Sequence, residues 1–266
     1  GAPNKNIGDA FLLVWKPNKG KQVQEVGDSA LRSILHTILA MKSSEELTRV
    51  ARRKDIQQRL PGYHVHLGFG LHYGWAVEGA IGSSQKIDAS YLSPHVNLSS
   101  RLESATKQYG VPLLVSESMR KLLSVGVQRV LRLVDRVVVK GSATPIKLYT
   151  YDAWALGEGL GSFTGSQKKE EGRVVGNGID LAKLNVTSFF AVVPPSSTEE
   201  YRAEFLVAMD AYLGGDNGVS ANWQTARVLL QLCITKCPQD GAAKAILEFI
   251  DEHCQADGMQ PAGWCG

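Results

Sequence analysis

Residues 5–15 read KNIGDAFLLVW, in which a polar turn runs through Gly8 and a single carboxylate, Asp9, into an apolar stretch. The pattern is typical of a β-hairpin whose second strand enters a hydrophobic core. A carboxylate beside a glycine at a strand end is a candidate Mg²⁺ ligand for phosphate chemistry, because glycine lets the backbone approach a ligand closely. The alternative interpretation of Asp9 is a solvated turn residue.

At 266 residues the chain is long enough for one large domain, alone or with a small appendage. All four cysteines lie in the last quarter of the chain, at positions 233, 237, 254 and 265. A secreted disulfide scaffold would spread its cysteines, so we expect a reducing, cytoplasmic compartment. The longest apolar run, residues 11–15, is too short to cross a bilayer, so we expect any membrane attachment to come from another segment.

The formal net charge of +3 conceals an asymmetry between the two parts of the chain. Residues 1–150 hold 21 Lys and Arg against 11 Asp and Glu, whereas residues 151–266 hold 8 against 15, so the two parts carry +10 and −7. The basic first part favours a polyanionic ligand such as a nucleotide. A nucleic acid is not expected as a partner, because basic and aromatic residues are not interleaved.

Residues 64–72, HVHLGFGLH, alternate in polarity and predict a strand with His64, His66 and His72 on one face. Two histidines at this spacing could bind a metal ion, but a half-exposed strand face explains them without one. Glycines punctuate the stretch from Gly68 to Gly82 and predict a hairpin in which side chains must be absent for close packing.

Ser93 and Pro94 are typical of a helix start, with serine as N-cap and proline at the first helical position. The helix is expected to run to about Lys107 and to carry Asn97 and Arg101 on one face. An amide beside a guanidinium can hold a ribose and an anionic phosphorus centre. The alternative is a pair of surface polar residues.

Further along the chain, residues 128–140 and 146–151 predict two paired strands. Lys140 stands at the turn between them, where it can reach a phosphate or remain solvated. Residues 157–171 are rich in Gly, Ser and Lys and predict a linker. Apolar stripes then predict three helices over residues 199–213, 222–236 and 242–254.

Four of these pieces, in this order, resemble the catalytic domain of class III nucleotidyl cyclases, the enzymes that make cyclic AMP or cyclic GMP. They are KNIGD at 5–9, LGFGLHYG at 67–74 with EGAIG at 78–82, VNLSSRLE at 96–103 and VKG at 139–141. The resemblance covers about residues 2–152. The remaining tail is similar to helical extensions that follow such domains in protist and algal members.

The resemblance implies an α+β fold, a ferredoxin-like cyclase domain with an antiparallel sheet and helices. It implies a division into a catalytic domain at 1–155, a linker and extended segment at 156–198, and a small all-α region at 199–266. The family has a first strand, with a metal-binding Asp, that would precede Gly1. We therefore expect a chain that lacks one central strand and one of two metal carboxylates, through truncation or a real loss, and that is inactive as it stands.

Carried over residue by residue, the resemblance implies that Asp9 binds a metal ion and that Lys140 holds the terminal phosphates. It assigns Asn97 to the ribose and the transition-state geometry, and Arg101 to the reacting phosphates. Two ions, Mg²⁺ or Mn²⁺, would assist the attack of the ribose 3′ oxygen on the α-phosphorus, with pyrophosphate as the leaving group.

Lys5 occupies the family's purine-reading position, where lysine goes with adenine and glutamate with guanine. Its partner position is Ser90, whose hydroxyl favours ATP over GTP, since it can accept from the exocyclic amine of adenine. The family works as a head-to-tail dimer, so a homodimer or a heterodimer with another cyclase domain is implied. We expect a cytoplasmic protein or the cytosolic part of a membrane protein.

Three functional hypotheses follow: an adenylate cyclase in intracellular signalling, a guanylate cyclase, or an inactive cyclase-like regulatory partner or scaffold. A ferredoxin-like α+β domain without a nucleotide role is a fourth, since that fold serves many functions.

Overall fold

The computed structural model describes residues 1–7, 10–17, 22–82, 87–139, 144–154, 175–176, 179–180, 188–190, 195–215, 221–254 and 260–261. Its strands are β1 (Ala2–Ile7), β2 (Ala10–Val14), β3 (Phe69–Leu71), β4 (Val77–Gly82), β5 (Ile87–Leu92), β6 (Leu113–Ser116), β7 (Arg132–Val137), β8 (Ile146–Thr150), β9 (Val175–Gly176) and β10 (Ile179–Asp180). Its helices are α1 (Val23–Lys42), α2 (Glu45–Ala51), α3 (Lys54–Arg59), α4 (Pro94–Gln108), α5 (Glu117–Leu122), α6 (Val125–Val130), α7 (Glu199–Leu213), α8 (Trp223–Lys236) and α9 (Gly241–His253).

The largest sheet has the order β3-β6-β8-β7, and the pairs β1–β2, β4–β5 and β9–β10 form separate hairpins. All strand pairs are antiparallel except β3 with β6. That pair is parallel because the chain between the two strands crosses over through α4. The expected α+β architecture is confirmed, with one parallel pair in a sheet that is otherwise antiparallel.

Helix α1 covers one face of this sheet, and its apolar stripe has the predicted helical spacing. The stripe packs with the first residues of α5 and α6 and with the near face of β6. Buried members of this cluster include Ala30, Leu31, Ile34, Leu35, Ile38, Leu39, Leu113, Val115, Met119 and Val127. The amphipathic pattern alone therefore fixed which side of α1 meets the sheet.

Helices α7, α8 and α9 cover the opposite face, where they share one hydrophobic core with α4 and the sheet. Phe205, Trp223 and Ile250 of these helices are fully buried in a cluster that also holds Leu102 of α4 and Val134 of β7. The helix boundaries agree with the prediction to within one residue. The division of the chain into three regions stays a prediction, but the helices and the sheet are joined by this common core.

A cavity of about 560 Å³ separates β2 from β3. Residues of both strands line it along their length, and α1 and α4 contribute lining side chains as well. Within the described residues, β2 pairs only with β1 and β3 pairs only with β6, so each strand has one edge without a partner strand.

Two strand predictions were wrong in part. Residues 128–130 belong to helix α6. The start of this helix is held in place because the Ser124 amide donates to the Asp28 carboxylate at 3.0 Å and because Val127 is buried. Only Phe69–Leu71 of the stretch 64–72 is a strand. The β-branched and alternating patterns favoured strands, and tertiary contacts overrode them.

The hairpin predicted for the glycine-rich stretch up to Ile81 is wrong, because β3 pairs with β6 and β4 pairs with β5. The glycines at the start of β3 instead permit a close approach of α4. A Cβ at Gly70 would lie 2.1 Å from the Ser99 carbonyl oxygen, and one at Gly68 would lie 2.3 Å from Oγ1 of Thr106. Close packing does not require glycine at position 79, where a Cβ would meet open space.

Among the residues that the structure describes, none of the helices combines the length and apolar composition that a membrane crossing requires.

Candidate functional site

The first turns of α4 carry the two polar residues that the sequence singles out. Ser93 caps the helix, because its hydroxyl accepts from the amides of His95 at 2.9 Å and Val96 at 3.3 Å. Asn97 and Arg101 are both exposed, and Leu102 beside them is buried against the C-terminal helices. Packing of Leu102 sets the rotation of α4, and this rotation leaves the amide and the guanidinium accessible to a ligand.

Ser90 lies on β5, three residues before the cap of α4. Ser90 is 4 % exposed and lies opposite Gly79 of β4. A buried hydroxyl on a strand has a fixed position, which suits a group that discriminates between ligands. Ser90 is thus connected directly to the start of α4 by the end of β5.

The β1–β2 hairpin is fastened to the β4–β5 hairpin by a polar cluster at its far end. Lys16 donates to the Glu78 carboxylate and lies with its Nζ 5.2 Å from the centre of the Tyr91 ring. The Tyr91 hydroxyl donates to Glu78 at 2.8 Å. The Lys16 ammonium and the Tyr91 hydroxyl hold the pKa of the Glu78 carboxyl below its usual value. The strands β1 and β5 also contact each other.

The contact between β1 and β5 brings the strand of Lys5 next to the strand of Ser90. Lys5 lies opposite Leu12 in the hairpin, and its side chain is outside the described part of the chain. Asp9 and Lys140 also lie outside the described residues. Their predicted roles therefore stay predictions, as do those of Ser90, Asn97 and Arg101.

The described residues do not form a metal site by themselves, since none of their His, Cys, Asp and Glu side chains gather in groups of three or more. The alternative of a metal ion at His64, His66 and His72 gains no support within that part of the chain. His64 and His66 are exposed neighbours whose ring centroids lie 6.3 Å apart. His72 instead contacts Ser116 and His95.

A half-buried polar cluster around His72 is the feature that sequence reasoning missed. Nε2 of His72 lies 2.8 Å from Nδ1 of His95, and Nδ1 of His72 lies 2.7 Å from Oγ of Ser116. Burial and then the charge of His95 lower the pKa of His72 to about 4. Nothing in the sequence pairs residues this far apart, although the alternation of residues 64–72 singled out His72 itself.

Comparison with known proteins adds family information to this geometry. The family model described as Adenylate and Guanylate cyclase catalytic domain matches residues 4–153. An adenylate cyclase of Anabaena cylindrica is 31 % identical over 155 residues, which cover 58 % of this chain and 28 % of that protein. The terminal-differentiation-specific adenylate cyclase of Dictyostelium discoideum is 27 % identical over 150 residues, which cover 56 % of this chain and 6 % of that protein.

The chain thus spans less than a third of the length of these two relatives. Among solved structures, a bacterial light-regulated adenylyl cyclase is similar at 28 % identity and a TM-score of 0.39, over 56 % of this chain and 38 % of the other.

Proposed function

The chain belongs to the adenylate and guanylate cyclase catalytic-domain family, and from that premise we propose that it converts ATP to cyclic AMP and pyrophosphate. The observation that carries the proposal is the start of α4, where Asn97 and Arg101 are exposed directly after the strand of Ser90. In this proposal the Asn97 amide binds the ribose, the Arg101 guanidinium binds a phosphate and the buried Ser90 hydroxyl binds the base.

Each of these side chains has a distinct task in the proposed reaction. The Asn97 amide binds the ribose and orients the 3′ oxygen toward the α-phosphorus, because correct alignment of reacting atoms removes a large part of the barrier. The Arg101 guanidinium donates to the phosphate oxygens, where negative charge develops as the bond to pyrophosphate breaks. Lys140 donates to the terminal phosphates of the substrate.

Base selection is the proposed task of Lys5 and Ser90. The Lys5 ammonium donates to a ring nitrogen of adenine, and the Ser90 hydroxyl accepts from the exocyclic amine. The contact between the strands β1 and β5, which carry the two residues, is compatible with this pairing. Guanine carries a hydrogen on its N1 atom, so the Lys5 ammonium, which only donates, would meet a second donor there.

We propose Asp9 as one ligand of divalent cations, Mg²⁺ or Mn²⁺, of which the complete site holds two. When bound, these ions supply activation of the 3′ oxygen and neutralisation of the charge on the leaving pyrophosphate. We also propose that the active form is a head-to-tail dimer of cyclase domains acting in intracellular signalling. Measuring the mass of the complex distinguishes homodimers from heterodimers.

The test is cyclic nucleotide formation by the full-length protein that contains these residues, with ATP and GTP compared. Asn97→Ala and Arg101→Ala should each lower kcat by about 10²–10³-fold, the loss typical of a removed transition-state donor. Lys107→Ala is the matched control, because Lys107 is an exposed cation on the same helix. Its kcat should stay within about twofold of wild type.

Other outcomes would support the alternatives. A wild-type protein that prefers GTP is a guanylate cyclase. A protein that binds ATP as a dimer and forms no product in the presence of Mn²⁺ is a regulatory partner, and the proposed activity is then wrong.

Base selection is tested by the double variant Lys5→Glu with Ser90→Cys. We expect the ratio of kcat/KM for GTP to that for ATP to rise at least about tenfold, because the donor and acceptor pattern then matches guanine. Ser104→Cys is the control, since Ser104 is exposed on α4. An equal loss of activity toward both nucleotides would show that Lys5 and Ser90 do not read the base.

A further inference from the structure

His72 directly follows β3, and both of its ring nitrogens have polar partners. Nε2 lies 2.8 Å from Nδ1 of His95, in the first turn of α4. Nδ1 lies 2.7 Å from Oγ of Ser116, the cap of α5, and 3.2 Å from Oγ of Ser118. The imidazole thus connects the end of β3 to the starts of two helices.

The following proton positions are compatible with these partners. Ser116 Oγ accepts from the Met119 amide at 3.3 Å, so its own proton can be donated to Nδ1 of His72. Ser118 donates to the Tyr73 carbonyl at 3.2 Å. His72 is then a neutral imidazole that accepts at Nδ1 and donates from Nε2 to Nδ1 of His95.

The His95 ring is held in place from several sides. A Cβ at position 74 would lie 2.2 Å from this ring, so glycine is required there. The Trp75 ring meets it edge-on with centroids 5.8 Å apart. The backbone amide of His95 donates to the Ser93 cap at 2.9 Å. A side chain fixed in this way fixes the helical turn from which it projects.

We propose that His72 and His95 are positioning residues whose hydrogen bond holds the first turn of α4, and with it Asn97, in place for the cyclase reaction. This inference rests on the proposed function. His72 and His95 line the cavity between β2 and β3, whereas Asn97, two residues after His95, is exposed. In this proposal the two histidines act through the position of Asn97.

The hydrogen bond exists only while one of the two facing nitrogens lacks a proton. When both imidazoles are protonated, both nitrogens are donors and two positive charges meet. The other titratable groups lining this cavity are Lys16 of the loop after β2, Tyr73, Glu78 of β4, Tyr91 of β5 and Glu103 of α4. The described residues of α1 and α5 that line the cavity are apolar.

The test compares His95→Leu, which cannot form the bond, with His95→Asn, whose side-chain oxygen can replace Nδ1 as the acceptor. We expect His95→Leu to lower kcat about tenfold or more, with KM for ATP changed less than about twofold, because a misaligned nucleophile slows the chemical step. His95→Asn should recover most of this loss. His64→Ala is the matched control, since His64 is exposed and outside the cluster.

A double-mutant cycle separates positioning from general damage to the fold. If His95 acts through Asn97, His95→Leu should cause less than about a twofold further loss in an Asn97→Ala background. The same fold-loss in both backgrounds would overturn the inference, as would an unchanged kcat in His95→Leu alone.

A second readout is independent of activity. Amide hydrogen exchange at residues 95–98 should be faster in His95→Leu and return to the wild-type rate in His95→Asn. If the wild-type protein forms no cyclic nucleotide, the proposed function fails, and this exchange experiment still decides whether the hydrogen bond holds the turn. Unchanged exchange in His95→Leu would overturn the inference.

Discussion

Arg132 of β7 forms buried ion pairs that link the sheet to the start of α9. Its buried guanidinium lies 2.6 Å from Asp152 and 2.9 Å from Asp240, and 4.1 Å from the centre of the Phe205 ring. Burial alone would lower the pKa of Arg132, but the two carboxylates raise it above its ordinary value. The Tyr201 hydroxyl also donates to Asp240, at 2.5 Å. One cation therefore compensates two buried anions.

Arg132→Ala should lower the free energy of unfolding by about 3–5 kcal/mol, because it leaves Asp152 and Asp240 buried without their partner. Urea unfolding measures the change. Lys236→Ala is the comparison, since Lys236 binds Glu204 at 2.6 Å with both side chains about half exposed. It should cost less than about 1 kcal/mol. Equal losses for the two variants would contradict the structural role assigned to Arg132.

At the scale of elements, α9 meets the turn after α4 without any intervening side chain. A Cβ at Gly241 would lie 2.3 Å from the Gly110 carbonyl oxygen, and Gly110 itself has a φ of +59°. Both glycines are required at this crossing, one for its lack of a side chain and the other for its left-handed backbone. The Asp240 carboxylate caps α9 at the same point, by accepting from the amides of Ala242 and Ala243.

Gly241→Ala should therefore destabilise the protein by about 1–3 kcal/mol, since backbone atoms must move to admit the methyl group. Thermal unfolding followed by circular dichroism is the measurement. Gly126→Ala in α6 is the control, because a Cβ there meets nothing within 4 Å. That change should be neutral or stabilise by up to about 1 kcal/mol. Destabilisation of the same size in both variants would show that the crossing of Gly110 and Gly241 is not the cause.

Over the whole molecule, buried Asp135 and half-buried His72 give stability opposite dependences on pH. Burial raises the pKa of Asp135 to about 6, from an ordinary value of 3.8, so the folded state keeps a proton that the unfolded state has released. Its contribution is present below pH 3.8 and is lost as pH rises through 6. The pKa of His72 is lowered to about 4 from 6.5, so stability from this group is lost as pH falls from 6.5 to 4.

Between about pH 4 and 6 the two contributions oppose each other, and single variants separate them. His72→Gln should become more stable as pH falls from 6 to 4, because the His72 dependence is removed while burial still raises the pKa of the Asp135 and Asp152 carboxyls. Over the same range the stability of Asp135→Asn should fall relative to that of the wild type, because the contribution of Asp135 is lost. The slopes should stay below about 1.4 kcal/mol per pH unit, the limit for one proton. Urea unfolding at several pH values is the measurement, and parallel curves for both variants would contradict the assignment.

The sequence by itself determined the features that depend on residues near one another in the chain. The apolar stripe of α1, the Ser93 and Ser116 caps and the bounds of α7 to α9 follow from periodicity and capping chemistry, which act within one or two turns. The family motifs at 96–103 were equally legible, so the candidate residues Asn97 and Arg101 needed no coordinates to be named.

Tertiary structure alone decided what depends on contacts between distant segments. It made residues 128–130 helical, packed α7 to α9 into the core of the sheet, and placed Arg132 between Asp152 and Asp240. It also brought His72 to His95, which no local pattern connects. The physical reason is that burial and buried charge compensation depend on which surfaces meet, and periodicity within one segment carries no information about its neighbour.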